Sequence, residues 1–140
     1  MLQKREGLLP FHFECAGPKR KATAHVGLCA YLELACVAGL PQSVREHIAG
    51  CSQEQGWTAE QVVLSLICLN LAGGECVDDL RILESDEGFG RVFRMAERHH
   101  LSREARRTFE RRWRKGRTRN TPSASVVFRF LASFHDSEQE

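Results

Sequence analysis

The first patterned stretch of the chain is "LLPFHFEC", in which Leu9, Phe11 and Phe13 alternate with polar His12 and Glu14. A period of two puts apolar residues on one face of an extended backbone and predicts a short β-strand or hairpin near residues 9–14. "GPKRK" breaks it, and the apolar positions then take a helical period. Thr23 stands where a helix cap belongs, ahead of "AHVGLCAYLELACVAG", with Gly39 and Pro41 as its end. "PQSVREHIAG" predicts a short helix with proline at its start and glycine at its end. Thr58 and Gln61 have capping-box spacing at the head of "TAEQVVLSLICLNLAGG". Val62, Val63, Leu66, Ile67, Leu69 and Leu71 cover most of that helix's circumference, which predicts it at the centre of the core, with Gly73 and Gly74 as its stop. "VDDLRILES" and "EGFGRVFRMAERHH" predict two more helices, with Ser85 or Asp86 as the cap between them.

The C-terminal third changes character. Leu101, Ala105, Phe109 and Trp113 recur every four residues, with Arg at most other positions. The pattern predicts a helix capped by Ser102 and stopped by Gly116, carrying a narrow apolar stripe that docks on the core. "GRTRNTP" interrupts it. "PSASVVFRFLASFHD" then predicts a last helix that starts near Ser123 or Ser125 and buries Val126, Val127, Phe130, Leu131 and Phe134. The expected fold is therefore mainly α, a multi-helix domain with one short β element. Its parts are an N-terminal arm with the strand (1–22), a helical core (23–98), a basic helix and linker (99–120), a C-terminal helix (121–136) and a frayed polar tail (137–140). No internal repeat interrupts this plan.

Composition supports one domain. The chain has 140 residues, 42% of them hydrophobic, enough to build a core at this length. No apolar run approaches the roughly 18 residues of a membrane span, and "MLQKREGLLP" lacks the long apolar segment of a signal peptide. The expected compartment is the cytoplasm, with no membrane partner. The six cysteines, Cys15, Cys29, Cys36, Cys51, Cys68 and Cys76, form no CxxC pair, and the six histidines show no ligand spacing. They read as reduced thiols acting as small hydrophobes.

Charge changes the picture more. The formal net charge is only +2, but residues 1–90 hold 7 Lys and Arg against 12 Asp and Glu, a net of −5. Residues 91–120 hold 12 against 3, a net of +9, and residues 121–140 hold 1 against 3, a net of −2. Such asymmetry points to a polyanion partner. The plainer alternative is a solvated helix, or an Arg tract neutralised by acids from the first ninety residues. The candidate DNA-binding residues are Arg103, Arg106, Arg107, Arg111, Arg112, Arg114, Lys115, Arg117 and Arg119, joined by Ser123, Ser125 and Arg129 at the last helix. Guanidinium forks suit phosphate oxygens, and the helix start at Ser123–Ser125 offers backbone N–H groups to the same anion. Two helices with a link between them also suggest a helix-turn-helix, although this link is longer than usual.

The acidic cluster Glu75, Asp78, Asp79, Glu84, Asp86 and Glu87 has a metal-site reading and a simpler one. Asp78, Asp79, Asp86 and Glu87 fall at helix starts, where negative charge is favoured. Gly88 and Gly90 make a GxG with no preceding strand, so a nucleotide loop is not supported.

Read together, "LPFHFE", "TAHVGL", "QGWTAEQVVLSLICLNLAGGECVDDLRILESDEGFGRVFR" and "ERRWRKGRTRNTPSASVVFRFLASFHD" resemble the N-terminal region of the DDE group 1 transposases of bacterial insertion sequences. The resemblance spans about residues 8–136. It implies a helical region that binds element-end DNA, the terminal repeats, and assembles with a full-length transposase or with itself. It also implies that the catalytic Asp, Asp and Glu of the RNase H-like domain lie beyond the region resembled. No catalytic residue therefore carries over, no activity is expected of this chain alone, and divalent metal such as Mg is expected only in that missing domain. Two other classes stay open: a protein-interaction module that pairs with the complete transposase, and a truncated remnant open reading frame.

Overall fold

A computed structural model describes residues 7–9, 23–48, 57–99, 101–116 (backbone only for 111–116) and 119–135. The chain is mainly α, and among the described residues there is no strand. The helices are α1 (Val26–Val37), α2 (Leu40–Ile48), α3 (Ala59–Leu71), α4 (Leu80–Glu84) entered through a 3₁₀ turn at Val77–Asp79, α5 (Glu87–His99), α6 (Arg103–Gly116) and α7 (Ala124–Ala132). The strand expected at 9–14 lies, beyond Leu9, outside the described residues. Leu9 itself is buried in the core, and the preceding Leu8 N–H donates to the Glu33 carboxylate on α1 at 2.5 Å.

α3 begins as its sequence dictates. Thr58 Oγ1 accepts the Gln61 N–H at 3.3 Å, and Gln61 Oε1 accepts the Thr58 N–H at 3.0 Å. Trp57 and Val62, just before the cap and one turn beyond it, are both buried, as in a hydrophobic staple. Gly73, at φ +83°, ends the helix in a left-handed turn. The buried side of α3 is narrower than expected. Val62, Leu64, Ser65, Cys68 and Leu69 face inward, but Val63, Leu66 and Ile67 are half-buried and Leu71 is 44% exposed. A helix packed by α2 on one flank and by α4 and α7 elsewhere still keeps one edge in water.

α1 packs chiefly on α5, and α2 on α3. The α2–α3 seam carries an ion pair between Arg45 and the buried Glu60, at 3.5 Å. The core gathers Leu28 and Leu32 from α1, Leu80 and Leu83 from α4, Phe89, Phe93 and Ala96 from α5, and Val127 and Phe130 from α7 around α3. No described residue of α6 is buried.

Thr23 does not cap α1 with its side chain. Its backbone precedes the cap residue, His25, and its hydroxyl instead donates to Asp86 Oδ2 at 2.8 Å. The same oxygen accepts the Ala24 N–H at 2.8 Å, while Asp86 Oδ1 accepts the Phe89 N–H at 2.8 Å. One carboxylate thus caps α5 and ties the start of α1 to it. Partial burial works against its charge, but the Phe89 N–H, the Thr23 hydroxyl and the Ala24 N–H together hold its pKa below the ordinary aspartate value of 3.8.

Of the cysteines in the described residues, Cys29 and Cys68 are buried, Cys36 is half-buried and Cys76 is exposed, and all four are free thiols. Burial pushes the Cys68 thiol up to about 12. Cys15 and Cys51 lie outside the described residues. No single helix among those residues is long and apolar enough to cross a membrane; α1 and α2 pass such a test only jointly, across a 61° bend.

Candidate nucleic-acid interface

α6 starts where its sequence directs; the residues that follow Gly116, where its stop is expected, lie outside the described residues. Ser102 Oγ accepts the Ala105 N–H at 3.2 Å, and Ser102 O accepts the Arg106 N–H at 2.8 Å. The stripe does not dock as expected: Ala105 is exposed, Leu101 and Phe109 are only half-buried, and the Trp113 side chain lies outside the described residues. Ala105, the small residue of the stripe, offers little apolar area to draw this part of an arginine-rich helix into the core.

Arg103, Arg106 and Arg107 are consequently exposed. Among the described residues they form no ion pair, and Arg106 reaches only the Leu101 carbonyl at 3.5 Å, a long contact. The side chains of Arg111, Arg112, Arg114 and Lys115 lie outside the described residues, although α6 carries their backbone; Arg117 lies wholly outside them. Arg119 is exposed beside Asn120.

The last helix meets its expectation in part. Ser123 is the cap residue of α7, yet its hydroxyl bonds the Ser125 hydroxyl at 3.0 Å instead of a backbone N–H. Arg129 is exposed and turned onto its own helix, its Nε donating to Ser125 O at 3.2 Å. Val126, Val127 and Phe130 are buried, but Leu131 is 46% and Phe134 53% exposed. α7 ends at Ala132, so Phe134 lies past the helix; its ring stands T-shaped against Phe130, ring centroids 5.1 Å apart.

The acids of the first ninety residues do not neutralise the described arginines of α6. Asp79 accepts the N–H groups of Glu75 and Cys76 at 3.0 and 3.2 Å, which hold its carboxyl below the ordinary range. Asp86 caps α5. Glu84, at the last residue of α4, accepts the N–H groups of Asn120 and Thr121 and the Thr121 hydroxyl, at 2.7–3.0 Å. That bond set clamps the segment between α6 and α7 to the body. No cluster of three or more metal-ligating side chains occurs among the described residues.

Sequence reasoning missed a second arginine row. Arg91, Arg94 and Arg98 recur at i, i+3 and i+7 on α5, opposite its buried Phe89, Phe93 and Ala96. Arg94 Nη2 donates to Asn120 Oδ1. Arg98 Nη2 pairs with Glu110 Oε1 at 2.6 Å. Arg91 is exposed. The row was readable from "RVFRMAER" once its helical period was counted; its contacts with residues 12 and 26 positions away were not. No family model, curated protein or solved structure matches the chain.

Proposed function

We propose that this chain binds duplex DNA through the exposed arginines of α6, in the manner of a helical N-terminal region of a DDE group 1 transposase, and that it is not catalytic alone. The observation that carries this reading is the exposure of Arg103, Arg106 and Arg107 on a helix with no buried described residue, while Asp79, Glu84 and Asp86 are engaged by backbone N–H groups elsewhere. An unneutralised row of guanidinium groups is what a phosphodiester backbone recruits, with affinity dominated by counterion release. The resemblance implies the terminal-repeat DNA of an insertion element as the partner; the arginines themselves support contact with phosphates.

A titration of the chain against labelled duplex DNA at several salt concentrations tests this. The expected slope of log affinity against log salt is roughly −4 to −6, for four to six phosphates. Combined Arg103→Gln, Arg106→Gln and Arg107→Gln should make it shallower by roughly 2 to 3. Absence of salt-dependent binding overturns the reading. A second reading, a protein-interaction module that pairs with the complete transposase, is favoured by the exposed Phe128, Leu131 and Phe134 on and just beyond α7. Co-purification with such a protein in the absence of DNA distinguishes it.

A further inference from the structure

We infer that the polyanion surface extends from α6 onto α5, and that Arg98 exchanges Glu110 for a backbone phosphate when duplex nucleic acid binds. The inference rests on the DNA-binding reading above. Arg91, Arg94 and Arg98 lie along one side of α5, and α6 begins at Arg103, close after it in the chain. The Arg98–Glu110 bond joins the end of α5 to the middle of α6. Two arginine rows therefore meet at one ion pair.

That pair is suited to exchange. Both side chains reach solvent in part, at 40% and 37% exposure, while Arg98 Nε is buried and makes no hydrogen bond among the described residues. An exposed pair of this kind is weak and screened by salt. A phosphodiester offers the same bidentate oxygen geometry as the Glu110 carboxylate. Glu110 acts as an internal stand-in for phosphate that lowers affinity until the polymer displaces it. Arg91, exposed and without an ion pair among the described residues, supplies a contact that needs no exchange.

The test compares wild type, Glu110→Gln, Arg98→Gln, Arg91→Gln and the double variant Arg98→Gln/Glu110→Gln in the same salt-dependent titration against labelled duplex DNA. Removal of the competitor in Glu110→Gln should tighten binding by about 1.5- to 5-fold, because an exposed ion pair no longer has to be broken. Arg98→Gln should weaken it, and adding Arg98→Gln to the Glu110→Gln background should make the salt slope shallower by about 0.9. Arg91→Gln should give a similar loss of slope. A merely structural ion pair predicts instead that Glu110→Gln and Arg98→Gln both weaken binding, since each frees α6 from α5; same-sign effects overturn the inference. Unchanged slopes in Arg91→Gln and in the double variant, with wild type still binding, also overturn it and leave the α6 reading standing. Loss of salt-dependent binding in wild type overturns both.

Discussion

Glu84 holds Thr121 twice, accepting its backbone N–H at 2.7 Å and its hydroxyl at 2.8 Å across 37 residues of chain. Thr121 is fully buried, so neither donor can turn to water. Glu84→Ala should destabilise the protein by about 2–3 kcal/mol, the cost of losing a charged acceptor and leaving buried donors unpaired. Thermal unfolding followed by circular dichroism reads the effect. A loss within about 0.5 kcal/mol, the ordinary range of a surface substitution, would show that the clamp is not needed.

Asp86 gives the stability a pH signature. Its folded pKa is depressed below 3.8, so its stabilisation is present above the unfolded value and is lost as pH falls through the folded value. Asp86→Ala should cost about 1–2 kcal/mol at pH 7 through loss of the α5 cap alone. The gap between variant and wild type should narrow as pH drops below about 4. Denaturant melts at pH 7, 5, 4 and 3 measure the gap; one that stays constant to pH 3 contradicts this role.

A tight backbone approach predicts a coupled pair. A Cβ placed on Gly90 would stand 2.6 Å from Asn120 Cγ. Asn120 cannot easily yield, because Arg94 bonds its side chain and Glu84 bonds its N–H. Gly90→Ala should therefore destabilise by about 1–2 kcal/mol, as overpacking does, against the roughly 1 kcal/mol that alanine ordinarily gains over glycine inside a helix. Asn120→Ala should relieve most of the clash. A double-mutant cycle on unfolding free energies reads the coupling, expected between 0.5 and about 2 kcal/mol.

Thiol reactivity should follow burial. In a chain with Cys15 and Cys51 changed to Ser, a disulfide reagent at pH 7.5 should modify exposed Cys76 first. Cys68, held near 12, and Cys29, raised chiefly by burial, should react only on unfolding. Fast modification of Cys68 in the native protein would contradict its place in the core.

The local grammar of the fold was legible, and its long-range contacts were not. The Thr58–Gln61 cap and the Ser102 start of α6 follow from residues within one helical turn of each other. Periodicity also marked Val126, Val127 and Phe130 as buried. It overreached at Leu131 and Phe134, because period gives the direction of an apolar stripe and not where the neighbouring body ends. The α6 stripe shows the same limit: Ala105 has the right phase and too little surface. Thr23, Glu84 and Arg94 were beyond local reasoning, since their partners lie 63, 37 and 26 residues away. The basic segment was plain in the sequence, but the row on α5 was diluted there by Phe93, Met95 and Ala96.

One feature of α1 bears on how this protein behaves in solution. Val26, Tyr31, Leu34 and Val37 are 51–65% exposed on a helix whose one charged residue is Glu33. Concentrated sulfate or phosphate strengthens contact between such faces, whereas any salt weakens the attraction of α6 for a polyanion. Under the proposed DNA binding, the two helices should respond to ionic strength with opposite sign. Dilute salt should favour the α6 arginines, whereas strongly salting-out buffers should weaken them and favour contact between α1 faces, so the proposed activity has a range of ionic strength bounded at its upper end by the first helix.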